Sequence, residues 1–119
     1  MTDANDSIAA LTAEIRKFAR ERDWEQFHDP KSLILALVGE VGELAELFQW
    51  VPAADAVAEF SADERQQRAG EEIADVLTYL LRLADVLGID AGQAAGSKLE
   101  NSRGRFAVSD VRGTAPTKE

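Results

Sequence analysis

Two pairs of carboxylates stand out in this 119-residue sequence, Glu40-x-x-Glu43 and Glu72-x-x-Asp75. Residues three apart share one face of an α-helix, so each pair would offer oxygen donors side by side. Their surroundings make them unusual. With helical residues turning by about 100° each, Leu33, Leu37, Leu44 and Leu47 fall within about 60° of Glu40. Val76, Tyr79, Leu83, Val86 and Leu87 fall within about 60° of Glu72 in the same way. Each motif therefore puts one acid inside an apolar stripe and a second beside it. A single Glu-x-x-Glu usually marks a solvated face, but two of them centred on apolar stripes point elsewhere. Buried, ionised carboxylates lose much of their solvation and repel one another. Protonation would relieve one or two of them; a hard cation would relieve all four. Oxygen-only ligands favour Mg2+ or Mn2+ over zinc. Glu46, Glu71 and Asp85 fall away from the stripes and read as surface charge, with Glu46 the nearest to reaching a second metal.

Magnesium held by carboxylates keeps positions open for water and phosphate oxygens, the arrangement for hydrolysing phosphate esters and anhydrides. Five of the 13 bases, Lys98, Arg103, Arg105, Arg112 and Lys118, lie in the last 23 residues. That basic segment could fold over outer phosphates, or simply complement a helix end. Trp24, Trp50 and Tyr79 are candidates for stacking a nucleobase. Other chemistries fail on composition. There is no cysteine, and His28 is the one histidine. Thiol nucleophiles and cysteine-zinc sites are therefore out, as is any design needing two histidines, and no serine has His28 at a recognisable triad spacing. Di-iron carboxylate bundles need two Glu-x-x-His motifs, which are absent. Gly39-Glu40-Val41-Gly42 lies mid-helix rather than in a phosphate loop, and its glycines suggest a close helix approach. A net charge of −9 disfavours nucleic acid as a partner. No apolar run is long enough for a membrane span. The acidic start, Met1 to Asp6, is unlike a signal or transit peptide, so the expected location is the cytosol.

The elements that must position these residues read as helices. Alternating patterns never persist, and Ala, Leu, Glu and Arg dominate. A first helix is expected over residues 7–22, followed by a joint at 23–29 that carries Trp24, Phe27 and His28. A second helix starts at Pro30, capped by Asp29, and runs to about Gln49; Pro52 breaks it. Residues 53–60 suit a short extra turn or helix. Ser61-Ala62-Asp63-Glu64 fits a capping box opening a third helix that ends near Leu87, with Gly88 as its cap. Asp90 would cap a fourth helix reaching about Arg103. The tail from Ala107 shows no periodicity and is expected to be extended or loose.

The stretch from Arg22 to His28 (RDWEQFH) and that from Leu35 to Trp50 (LALVGEVGELAELFQW) closely resemble the MazG-like nucleotide pyrophosphohydrolases, as does Glu71 to Leu80 (EEIADVLTYL). Within that family the chain is most similar to the branch acting on dCTP. The resemblance implies one domain over residues 1–106 with a tail at 107–119. It implies an all-α, four-helix MazG-like bundle completed by oligomerisation, as a homotetramer. It also implies Mg2+-dependent hydrolysis of a nucleoside triphosphate, dCTP or a modified dCTP, to the monophosphate and pyrophosphate, in cleansing the nucleotide pool. On this basis Glu40, Glu43, Glu72 and Asp75 are the metal-binding and catalytic acids. Trp24, Trp50 and Tyr79 match base-pocket aromatics, and Lys98, Arg105 and Arg112 match phosphate-side positions. Ser102 departs from the Asn usual at a nucleotide-contacting position, and Phe106-Ala107 stands where Tyr-Pro is common. Two alternatives are a pyrophosphatase of the same fold with broad, dUTP-like or phosphoribosyl-ATP specificity, and a non-catalytic helical assembly module.

Overall fold

The computed structural model describes residues 4–115. Its elements are helices: α1 (Ala4–Glu21), α2 (Pro30–Phe48), the short α3 (Ala56–Glu59), α4 (Asp63–Val86), α5 (Ala91–Arg105) and a final turn, α6 (Val108–Val111). No strand occurs among the described residues. The fold is all-α, as the composition leads one to expect. Lys118 lies outside the described residues.

Local chemistry sets the boundaries. Asp29 accepts the Ser32 N–H at 2.9 Å and the Ser32 hydroxyl at 2.7 Å, and Pro30 follows at a position that needs no donor. Asp90 caps α5 in the same way, accepting the Gln93 N–H at 3.0 Å. Gly88 ends α4 with a φ of +69°. The Ile89 N–H then reaches the Ala84 carbonyl at 2.8 Å, and the Gly88 N–H reaches Asp85 at 3.0 Å. These are the two bonds of a Schellman cap. α1 ends likewise on Asp23, at a φ of +55°. There the Trp24 N–H bonds to the Ala19 carbonyl at 2.9 Å. Aspartate tolerates that conformation better than most residues do, and the closure fixes where Trp24 starts.

Three expectations need correction. The capping box does not form: α4 has no side-chain cap at its N-terminus, and the Ser61 hydroxyl donates back to the Val57 carbonyl. A hydroxyl satisfied one turn back is not available to the next helix. The tail is not wholly extended, because residues 108–111 complete a helical turn. Gly39 and Gly42 admit no close neighbour within this chain, since a Cβ at either would meet nothing within 4 Å.

α2 and α4 form the central pair and run antiparallel. His28, before α2, bonds to Arg82 near the end of α4, while Glu40 and Glu43, further along α2, meet Glu72 in the first half of α4. Phe48 and Phe60 stack beyond them, with ring centroids 4.2 Å apart. α1 lies on the second half of α4, and α5 rests on α1 and the end of α4. The core is thin: Ala19, Leu33, Ala69 and Leu81 are its buried apolar side chains. Many large apolar groups remain exposed on the outer sides of α2 and α4, among them Leu35, Val38, Ile73 and Leu77.

Candidate functional site

The acids come from the middle of the α2–α4 pair. The stripes that carry Glu40 and Glu72 face each other, so the two acids are drawn inward with their leucines. Glu40, Glu43 and Glu72 each present a carboxylate oxygen within 4.8 Å of the others. The Oε2 atoms of Glu40 and Glu72 are buried and accept no hydrogen bond. Burial, more than any other cause, holds both carboxyls above the ordinary glutamate range. For Glu40 the proximity of Glu43 adds to this, then the charges of Asp75 and Glu72. For Glu72 the charges of Glu43 and Asp75 add, against a small opposing pull from Arg68. Asp75, expected as a fourth member, lies outside the closest triad but near enough to be felt electrostatically by both.

Such an arrangement is costly for a metal-free protein. Orphaned, buried anionic oxygens are rare because desolvation is not repaid. The donor set contains only oxygen, on two helices, with one member exposed and two half-buried. It fits a hard divalent cation such as Mg2+ and offers nothing to select zinc.

Beside the acids lies an aromatic recess. A cavity of about 310 Å³ is lined by Trp24, His28, Asp75, Tyr79 and Arg82 together with Ile15, Phe18 and Ala19. A second, of about 280 Å³, shares Trp24, His28 and Tyr79 and adds Phe27 and Leu33. Asp75 thus joins the acidic cluster to the recess. Trp24 meets Phe18 in an edge-to-face arrangement, at 5.7 Å between centroids, and the Arg22 guanidinium lies over the Phe18 ring at 3.7 Å. A wall of this kind suits a flat, polar-edged ring.

The remaining expected residues are not gathered here. Trp50 is 87% exposed and lines neither cavity. Lys98, Ser102 and Arg105 lie on α5, away from the recess lining, and Arg105 rests on its neighbour Phe106 at 4.8 Å. Arg112 is exposed beyond α6. Sequence reasoning also missed a group. Asp85, taken as surface charge, has a side chain only 13% exposed and binds both Arg16 and Arg82. Arg82 is itself buried and reaches His28. The Arg82–Asp85 spacing of three residues on an otherwise apolar helix end was the available signal.

Known proteins align with this arrangement. The profile described as the MazG-like family matches residues 36–114. dCTP pyrophosphatase 1 of Bos taurus is 46% identical and that of Homo sapiens 44% identical, each over 92% of this chain. The chain spans 63% of the length of these curated relatives. A crystal structure of a pyrophosphatase from Archaeoglobus fulgidus DSM 4304 superposes with a TM-score of 0.77 at 34% identity. That superposition covers 90% of this chain and 98% of the archaeal one. Shared sequence over most of the chain and a shared helical frame lead to one conclusion: this protein belongs to the MazG-like family.

Proposed function

We propose that this protein is a divalent-metal-dependent nucleoside triphosphate pyrophosphohydrolase that takes dCTP or a modified dCTP and releases the monophosphate and pyrophosphate. The observation that carries this reading is the pair of orphaned carboxylate oxygens on Glu40 and Glu72, set between Glu43 and an aromatic recess. The names of the relatives supply the nucleotide.

In this reading Glu40, Glu43, Glu72 and Asp75 hold the metal, with Mg2+ preferred and Mn2+ able to replace it. Bound there, it supplies charge neutralisation for phosphate oxygens and a more acidic water. Trp24 and Tyr79 flank the base and set the α-phosphate near the acids. Water attacks the α-phosphorus and releases a proton to solvent, the bond to the bridging oxygen breaks, and pyrophosphate leaves carrying the electron pair. Trp50, Lys98, Ser102 and Arg105 do not meet the acids within one chain. On this reading they engage the nucleotide only in an assembled homotetramer, with Lys98 and Arg105 toward the phosphates. Ser102, shorter than asparagine, would work through a bridging water. The activity would cleanse the cytoplasmic nucleotide pool.

A panel of ribo- and deoxyribonucleoside triphosphates, assayed for pyrophosphate with and without Mg2+, tests the reading. Release that depends on the metal and is fastest with dCTP or a modified dCTP supports it. Preference for dUTP, or no preference, would reassign the substrate. No turnover of any triphosphate with Mg2+ would reject the activity and leave an assembly module.

A further inference from the structure

His28 is the one histidine of the chain, and it faces both aromatic cavities. Its Nδ1 accepts a hydrogen bond from Nε of Arg82 at 3.0 Å. A guanidinium has donors only and does not lose its proton. Nδ1 must therefore present its lone pair, and the proton of the neutral ring sits on Nε2. Arg82 cannot swing away: it is 6% exposed, and its NH1 donates to Asp85 at 2.9 Å. Asp85 is held in turn by Arg16, whose Nε and NH2 donate to its two oxygens at 2.8 and 2.6 Å.

The groups near the ring are of both charge signs. From α4 come Arg82, Asp75 and Tyr79; from the turn before α2 come Trp24 and Glu25; from α1 come only the apolar Ile15, Phe18 and Ala19. Burial, then the charge of Arg82, holds His28 below the usual histidine value, against a weaker opposite pull from Glu25. Protonation would also set two donors head to head.

We infer that Arg82, anchored by Asp85, is a positioning residue that fixes His28 as the Nε2–H imidazole, so that the recess presents a constant hydrogen-bond donor to an acceptor on a nucleobase. The acceptor class is a ring nitrogen or a carbonyl oxygen. The inference rests on the nucleotide reading for its ligand, but the state of the ring is independent of turnover.

A single histidine gives a single imidazole spin system, so 15N NMR of the unmodified protein reads the tautomer directly. The expected spectrum shows a bare Nδ1 and a protonated Nε2 at neutral pH, with the ring taking up its second proton at lower pH than a free histidine, which titrates in the range of about pH 5.5 to 8. In Arg82→Met, the two nitrogens should move toward averaged tautomers and the ring should titrate within that range. KM for the preferred nucleotide should rise about tenfold, the loss of roughly one hydrogen bond, with kcat within about twofold. A proton on Nδ1, or an imidazolium at neutral pH in the unmodified protein, overturns the inference even if Arg82→Met does not fold. So does a variant in which kcat and KM shift together while the tautomer stays fixed. A protein with the expected spectrum that turns over no nucleotide overturns the pyrophosphohydrolase reading instead.

Discussion

Glu40 and Glu72 carry the strongest chemical statement in the molecule, because each places an oxygen where neither water nor a donor reaches it. If these acids hold the metal, Glu40→Gln or Asp75→Asn should lower pyrophosphate release by at least about a hundredfold, the scale of an outer or inner ligand loss. Mg2+ affinity should fall with it, read by calorimetry. Wild-type release from either variant would remove the acid from the site. The same pair sets a pH dependence. Their folded-state values lie above the ordinary range, so the unfolded chain gives up its protons first as pH rises. Stability contributed by keeping these protons is therefore present in mild acid and lost toward neutrality. The metal-free protein should melt higher near pH 5 than near pH 7.5, and Mg2+ should narrow or reverse the difference. A flat profile without metal would mean that the two carboxyls are not destabilised.

At the scale of elements, helix ends decide the geometry. Gly88 sits at a φ of +69° and a Cβ there would meet nothing, so Gly88→Ala isolates the backbone cost. That substitution should lower stability by about 1 kcal/mol, seen as an earlier urea midpoint at unchanged slope. The helices carrying the acids were legible in sequence because their leucine spacing, Asp29, Pro30 and Gly88 all agree. The facing of Glu40 and Glu72 was legible for the same reason. The failed cap at Ser61 was not, because a hydroxyl chooses between two nearby partners and pattern cannot rank them. Asp85 was misjudged because its partner Arg16 comes from 69 residues away. Long-range pairing of that kind leaves no trace in helical periodicity.

The whole molecule is looser than its length warrants. Its radius of gyration is 17.3 Å, against about 13 Å for a globular domain of this size. Its central helices, α2 and α4, are apolar on more than one side. Ile34, Leu35, Val38 and Val41 are exposed, and they turn roughly 100° or more away from Glu40. A helix apolar most of the way round is normally buried by something. We therefore expect a mass in solution several times the 13.0 kDa of one chain. Val38→Glu or Leu77→Glu should shift the protein toward monomer in sedimentation and reduce turnover together. A fully active monomer would remove assembly from the account.

The rods that bring the acids together and the greasy flanks are the same two rods. A small wedge lodged along α2 could thus silence chemistry at a distance, without mimicking any nucleotide, and changes to the aromatic wall would give no escape from it.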